Sequence, residues 1–113
     1  MKLRIYTDTS AIGGCLDDVF RAPSNALFHL FKSGQATIVI SNLTLIELEE
    51  APAAVRAVLA EVPSLHREDV KFTPEAGELA EQYLESGVIG AAHRMDAQHI
   101  ATATLAPVDI LVS

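Results

Sequence analysis

The chain has 113 residues and a formal net charge of −7, with half of its residues hydrophobic and a fifth charged. This length suits one domain with a buried core, so the composition excludes a disordered chain. The single cysteine, Cys15, excludes an internal disulfide and a Cys-based zinc site. The acidic balance argues against a protein that coats nucleic acid by bulk attraction, but it allows an enzyme whose carboxylates hold a divalent cation.

No segment approaches the roughly 18 apolar residues that a membrane span needs, and Met1 leads directly into a strand-like run without a signal-peptide pattern. We therefore expect a cytoplasmic protein with no membrane partner. A nucleic acid would need a local basic rim on so acidic a chain. The candidates for that rim are Lys2, Arg4, Arg21, Lys32, Arg56, Arg67, Lys71 and Arg94.

The first half of the chain predicts two strands and three helices from its apolar periodicity and turn residues. They are a strand at 3–8, a helix at 23–32, a strand at 36–40, a helix at 43–50 and a helix at 52–62. Gly13-Gly14 indicates a loop or a loose helix start, and Ser33-Gly34 ends the first predicted helix. Ser41-Asn42 is expected to cap the helix at 43–50.

The second half continues the alternation of strands and helices. A brief strand at 69–72 precedes a helix that opens at Thr73-Pro74, and Ser86-Gly87 ends this helix. A small-residue loop at 88–93, a helix at 94–105 and a strand at 108–112 complete the chain. Such alternation predicts a single domain, 1–113, with a three-layer α/β/α fold and a parallel four-stranded sheet.

Polar residues at the carboxyl ends of the predicted strands are the first candidates for a site, because ligands of open parallel sheets bind there. Asp8 follows the first strand, and it suits a helix N-cap and a functional carboxylate equally well. Ser41 and Asn42 follow the second strand. Glu47 lies about one turn further on, on the same face of a short helix as Leu43 and Ile46. A carboxylate beside an apolar face must be protonated, paired or metal-bound, although a surface role for Glu47 stays open.

Asp96 stands at the start of the last predicted helix, where an N-cap or a favourable charge at a helix N-terminus also explains it. His99 lies one turn further on, and a packed or hydrogen-bonded histidine is the more ordinary interpretation than a metal ligand. Three carboxylates from separate elements can converge at one edge of the sheet, where they would repel each other without a cation. Oxygen ligands favour Mg²⁺ or Mn²⁺ over Zn²⁺.

Four segments together resemble the PIN domain family, in order and over nearly the whole chain. They are IYTDTSAIGG (5–14), ISNLTLIELEEAP (40–52), RMDAQHIATAT (94–104) and VDILVS (108–113). The chain is most similar to small prokaryotic PIN proteins, including VapC-like toxins of type II toxin–antitoxin pairs. The resemblance implies a parallel sheet of order 3-2-1-4-5, a carboxylate cluster that binds one or two divalent cations, and cleavage of RNA.

The same resemblance implies roles for individual residues. Asp8, Glu47 and Asp96 match the family's acidic metal ligands and catalytic residues, and Thr9, Ser10 and Ser113 match its supporting hydroxyl positions. In the family a further acidic or amide residue usually follows the position of Ser113. We therefore expect the fourth ligand and the fifth strand to be missing or truncated, which leaves a four-stranded order of 3-2-1-4.

The resulting hypothesis is a Mg²⁺- or Mn²⁺-dependent endoribonuclease of the PIN family, with the toxin of a type II toxin–antitoxin pair as its more specific form. It would have RNA as substrate and an antitoxin or a second copy of the chain as protein partners. The alternative is a non-catalytic PIN-like module for binding or dimerisation, which the acidic balance and the missing end favour. A nucleotide-binding domain is disfavoured, because Gly13-Gly14 fits no phosphate-loop spacing.

Overall fold

The computed structural model of the protein describes residues 2–106 and 108–112, apart from the side chain of Ala91. Ser113 lies outside the described residues, so its proposed role is a sequence expectation only. The described strands are β1 (Leu3–Thr7), β2 (Ala36–Ser41), β3 (Arg67–Val70) and β4 (Ile110–Val112). The described helices are α1 (Thr9–Gly14), α2 (Arg21–Ser33), α3 (Asn42–Glu49), α4 (Ala53–Ala60), α5 (Pro74–Glu85) and α6 (Arg94–Leu105).

The four strands form one parallel sheet in the order β3-β2-β1-β4. The register places Ile5 of β1 between Ile38 of β2 and Ile110 of β4. The expected α/β class and the strand order 3-2-1-4 are thus confirmed. Within the described ranges, no helix is both long enough and apolar enough to cross a membrane.

The sheet has a separate apolar core on each face, because successive side chains of a strand point to opposite sides. Ile5, Ile38 and Ile40 pack with Phe28 and Phe31 on the face that α1 to α4 cover. On the other face, fully buried Tyr6 and Val39 pack with Ala103 of α6. Helices α5 and α6 pack through small buried residues, namely Ala76, Ala80, Ala97 and Ala101. These small side chains let α5 and α6 pack closely against each other.

Two predicted helix boundaries are confirmed together with their chemistry. The Thr73 hydroxyl accepts a hydrogen bond from the backbone N–H of Ala76 at 3.2 Å, and Pro74 takes the first helical position. Gly34 ends α2 in the left-handed region at φ 79°, a conformation that glycine adopts without steric cost.

The third strand was predicted wrongly at 69–72, since it spans Arg67–Val70. It begins with charged residues that do not indicate a strand, but their charges are paired. Arg67 forms an ion pair with Asp69 at 2.8 Å, two residues along the strand, and Glu68 forms one with Arg4 of β1 at 2.7 Å. An edge strand tolerates such residues, because part of its surface remains in contact with water.

Two further differences lie near the site. A short helix, α1, occupies Thr9–Gly14, so Gly13-Gly14 ends a helix rather than starting one. In α3 the buried residues are Leu43, Thr44 and Leu48, whereas Ile46 is 55% exposed. The expectation that Ile46 shares an apolar face with Glu47 was therefore wrong, because the eight-residue α3 buries only the stripe that contacts β2 and α1.

Candidate active site at the carboxyl ends of the strands

Asp8 lies at the carboxyl end of β1, the strand between β2 and β4 in the sheet. Its backbone N–H donates to the carbonyl of Val112 at 3.2 Å, which ties it to the end of β4. Its carboxylate caps α1 by accepting a hydrogen bond from the backbone N–H of Ala11 at 3.1 Å. Asp8 is only 5% exposed, so it is both the expected N-cap and a buried carboxylate.

Burial raises the pKa of Asp8, because removal from water disfavours the charged form. The backbone N–H of Ala11 and the imidazole of His99 oppose this rise, while the neighbouring Glu47 carboxylate adds to it. Asp8 and Glu47 are therefore close enough to influence each other electrostatically. A carboxylate in this position gains from any nearby positive charge.

Glu47 projects from α3 toward the first turn of α1 and toward α6. Its Oε1 atom accepts hydrogen bonds from the Thr9 hydroxyl at 3.2 Å and from Nε2 of His99 at 2.7 Å. Its side chain is 32% exposed, so one part of the carboxylate is held by the protein while another part reaches solvent. Glu47 is therefore partly buried and paired, with His99 and Thr9 as its partners.

A chain of hydrogen bonds runs inward from Glu47. The other ring nitrogen of His99, Nδ1, lies 2.6 Å from the Tyr6 hydroxyl, which lies 2.7 Å from the hydroxyl of Ser41 at the end of β2. The His99 side chain is only 5% exposed, and Tyr6 and Ser41 are fully buried. Burial raises the pKa of Tyr6, although the Ser41 hydroxyl opposes the rise, so the phenol stays protonated at neutral pH.

Asp96 lies in the first turn of α6, and His93 rather than Asp96 takes the N-cap position. The Asp96 carboxylate is 60% exposed and lies 3.1 Å from Nδ1 of His93. Residues three apart on a helix are neighbours on its surface, so Asp96 lies one turn from His99 and on the side of α6 that faces Glu47. The structure thus brings Asp8 and Glu47 together and leaves Asp96 at the margin, paired with His93.

Thr9 and Ser10 differ in their surroundings. Thr9 bonds Glu47, as described above, whereas exposed Ser10 lines a pocket of about 280 Å³ between α1, α2 and the end of β4. The pocket walls are mostly apolar and include Phe20, Leu27 and Val112. Of the two hydroxyl groups, that of Thr9 bonds a carboxylate of the site, whereas Ser10 acts on Asp8 through its backbone N–H.

The donor set suits a hard divalent cation in its chemistry, since it consists of carboxylate and hydroxyl oxygens. The buried charge of Asp8, whose pKa is raised, would be stabilised by such an ion. Within residues 2–106 and 108–112, however, no three His, Cys, Asp or Glu side chains are arranged to hold a metal ion. Asp8 and Glu47 supply the oxygen donors that such a cation takes, whereas the exposed carboxylate of Asp96 is bonded to His93.

Sequence reasoning did not place His99, Tyr6 and Ser41 in one network. His99 was expected to be packed or hydrogen-bonded, which is confirmed, but its partners lie on other elements. Tyr6 was part of a strand, and Ser41 was expected to cap α3. Ser41 does take the N-cap position, yet its hydroxyl makes no capping bond and contacts Tyr6 instead. The sequence did show a polar residue at each of these positions, on β1, at the end of β2 and on α6, which face one another in the folded chain.

Known proteins match this chain through their structures. No protein-family model matches the chain, and no curated protein sequence gives a significant match. Solved structures do match over nearly the whole chain, with a probability of 1.00 for both of those described below.

One match is a structure of VapBC2 from Rickettsia felis bound to a DNA fragment from its promoter. It has 19% sequence identity and a TM-score of 0.63, over 97% of this chain and 87% of that one. Another is VapC20 from Mycobacterium tuberculosis, described as a Sarcin-Ricin loop cleaving toxin. It has 21% identity and a TM-score of 0.58, over 95% and 86% of the two chains. The chain thus has the PIN-like α/β fold of VapC-type structures, which confirms the resemblance at the level of the fold.

Proposed function

We propose that the protein is a divalent-cation-dependent endoribonuclease and the toxin of a type II toxin–antitoxin pair. The observation that carries the proposal is the buried Asp8 carboxylate beside Glu47, at the carboxyl ends of the strands. The fold is that of VapC-type proteins, one of which is described as an RNA-loop-cleaving toxin. Site and fold together favour hydrolysis of an RNA phosphodiester.

Asp8, Glu47 and Asp96 would hold Mg²⁺ or Mn²⁺. When bound, the cation would lower the pKa of a water molecule and polarise the scissile phosphoryl group. The Ala11 amide fixes the orientation of the Asp8 carboxylate, and Thr9 and His99 fix that of Glu47. We propose that Ser10 and Ser113 bind the substrate or a water molecule through their hydroxyl groups.

Asp8→Asn tests this function directly. Asparagine retains the cap on α1 but lacks the charge that holds a cation, so we expect the loss of Mn²⁺- or Mg²⁺-dependent cleavage of a single-stranded RNA with an intact fold. The matched control is Asp109→Asn, since Asp109 precedes β4 at the opposite end of the sheet and asparagine can still accept its 2.8 Å bond from the Arg4 amide. Equal cleavage by wild type and Asp8→Asn would contradict the proposal.

A non-catalytic binding module is the second candidate, and the pairing of Asp96 with His93 away from Glu47 is the observation that favours it. Titration with Mn²⁺ separates the two. A ligand that binds only the native state must raise its stability, by about 2.7 kcal/mol at one hundred times the Kd. If the protein is a nuclease, Mn²⁺ should stabilise the wild type but not Asp8→Asn. If it is a module without a cation site, Mn²⁺ should stabilise neither the wild type nor the variant.

We further propose that the antitoxin lays an apolar helix on the pocket beside Ser10. The pocket is mainly apolar, and Phe20 on its wall is exposed together with its loop neighbour Val19. Exposed apolar residues that border a groove are typical of a protein-binding surface. Occupation of this pocket would place the partner next to Asp8 and Thr9, where it can block access to the site.

A further inference from the structure

His99 lies between two parts of the molecule that the proposed mechanism treats separately. One ring nitrogen bonds the partly exposed carboxylate of Glu47 at 2.7 Å, and the other lies 2.6 Å from the buried Tyr6 hydroxyl. The ring planes of His99 and Tyr6 meet at 62°, with centroids 5.7 Å apart, so the tyrosine also packs against the imidazole. The imidazole is therefore held on both sides.

The bonding partners fix the direction of the hydrogen bonds. An ionised carboxylate can only accept, so Nε2 of His99 must carry the proton that it shares with Glu47. In a neutral imidazole Nδ1 then accepts, and the Tyr6 hydroxyl donates to it. The Tyr6 oxygen in turn accepts from the Ser41 hydroxyl at 2.7 Å. All three bonds run from Ser41 toward Glu47, and each group has a partner.

Glu47 thus sets the tautomer of His99, because its carboxylate needs a donor at Nε2, and Tyr6 supports this tautomer by donating to Nδ1. Without the Tyr6 hydroxyl, the lone pair of Nδ1 would be buried without a donor, and the imidazole would lose the bond that holds its far side. A partner on the far side of a histidine commonly fixes its tautomer and orientation in this way.

We infer that His99 is a positioning residue, which holds the Glu47 carboxylate in the site by an Nε2–H donor that Tyr6 and Ser41 keep in place. The inference deepens the proposed function and rests on it for its catalytic consequence. The hydrogen bond from His99 to Glu47 belongs to the metal-free protein, so it can be measured without an RNA cleavage assay. A histidine with a purely packing role would need neither a defined tautomer nor a hydrogen-bond donor at Nε2.

Nitrogen NMR of the imidazole tests this placement in metal-free protein, under conditions in which one ring nitrogen carries the proton. We expect the resonances of His99 to show that proton on Nε2. In Tyr6→Phe, which removes one hydroxyl and retains the ring, we expect the Nδ1 resonance of His99 to shift, because its hydrogen-bond donor is lost. A proton on Nδ1 of His99 in the wild type would overturn the inference.

A pair of substitutions tests the consequence for the site. His99→Phe fills the space but removes the donor, whereas His99→Gln places an amide N–H near the position of Nε2. Because loss of such a supporting partner commonly costs 10–100-fold in metal affinity or activity, we expect His99→Phe to weaken Mn²⁺ binding and kcat by at least about tenfold. We expect His99→Gln to recover most of this loss. His29→Phe, at an exposed histidine of α2, is the matched control.

The outcomes separate the inference from the proposed function. Unchanged Mn²⁺ affinity and kcat in a folded His99→Phe protein would overturn the inference while the nuclease proposal stands. If His99→Phe fails to fold, a loss of about tenfold or more in a folded His99→Gln protein, together with an unshifted Nδ1 resonance in Tyr6→Phe, would overturn it. A wild type that neither binds Mn²⁺ nor cleaves RNA would overturn the proposed function, and the NMR result would then decide the placement of Glu47 by itself.

Discussion

Asp8 combines two tasks that conflict at neutral pH. Its carboxylate caps α1, which favours the folded state, but it is buried, which disfavours the charge. Asparagine caps a helix as well as aspartate does and carries no charge. Aspartate at position 8 therefore lowers the stability of the fold relative to asparagine, and such a loss is common at functional sites.

The raised pKa of Asp8 sets the sign of a stability prediction for metal-free protein. The folded state holds the Asp8 proton more tightly than the unfolded state, so stability from this group is complete below the unfolded pKa and is lost as pH rises through the folded pKa. We expect Asp8→Asn to be more stable than wild type at about pH 7, with an advantage that shrinks as pH falls toward about 4.

Asp8→Ala provides the comparison, because it removes the charge and the cap together. It should be less stable than Asp8→Asn by about 1 kcal/mol at every pH, as measured by urea unfolding. An advantage of Asp8→Asn that grows on acidification would show that burial does not govern the pKa of Asp8.

At the level of single residues, the sequence allowed Asp8 and Glu47 to be identified, because each follows a buried strand at a predictable distance. It could not identify the partners of Glu47. Tyr6 and His99 are 93 residues apart, and their contact depends on how closely α6 packs on the sheet. The alanine of α6 that packs on the sheet beside Tyr6, Ala103, looks like an ordinary helix residue in the sequence.

The helix α1 is the element where glycine misled the prediction. Gly13-Gly14 favours a loop, yet both residues are helical, and only one of them is required by packing. A Cβ atom on Gly14 would lie 2.4 Å from Oγ and 3.3 Å from Cβ of Ser24 on α2. A Cβ atom on Gly13 meets nothing within 4 Å. Gly14 is thus the residue that lets α1 approach α2.

These neighbouring glycines form a matched pair for mutation. Gly14→Ala should lower the free energy of unfolding by about 1–3 kcal/mol, because it overpacks the contact with α2. Gly13→Ala should be neutral or stabilising by up to about 1 kcal/mol, since alanine is the better helix former. Adding Ser24→Ala to Gly14→Ala should restore part of the loss. Equal stabilities of the two single variants in thermal unfolding would show that α1 can shift away from α2 freely.

Across the whole molecule, the cationic side chains are largely engaged by the chain's own carboxylates. Five of the eight lysines and arginines form such ion pairs, namely Arg4, Arg21, Lys32, Arg67 and Arg94. Arg56 donates to the backbone carbonyls of Leu48 and Ala51. Lys2 and Lys71 have no ion pair with any described residue, so they are the cations most available to an RNA backbone.

This distribution predicts weak dependence of RNA binding on salt. For single strands the slope of log K against log salt is about −0.7 for each phosphate neutralised, so two lysines correspond to a slope near −1.4. Binding of a single-stranded RNA to Asp8→Asn between about 50 and 200 mM salt, followed by fluorescence anisotropy, measures the slope without cleavage. A slope steeper than about −3 would show that the internal ion pairs open to bind phosphate.

For the whole molecule, the parallel sheet was predictable from the alternation of strands and helices, whereas its strand order was implied by the resemblance to the PIN family. The charge pairing was not, since ion pairs such as Arg4–Glu68 join residues 64 positions apart. The charged start of β3 is tolerated at the sheet edge because its side chains keep contact with water and pair with carboxylates or arginines of the folded chain.

The hydrogen-bond chain from Ser41 to Glu47 also has a consequence for the order of assembly. Glu47 and His99 are 52 residues apart, and His99 belongs to the penultimate element of the described chain. Contacts between segments that are distant in sequence form late in folding, because the chain between them must first be ordered. During synthesis Tyr6 and Ser41 emerge long before α6. The nascent chain therefore contains Asp8 and Glu47 before it contains His99, whose imidazole later bonds both Glu47 and Tyr6. Completion of the site is therefore tied to completion of the domain.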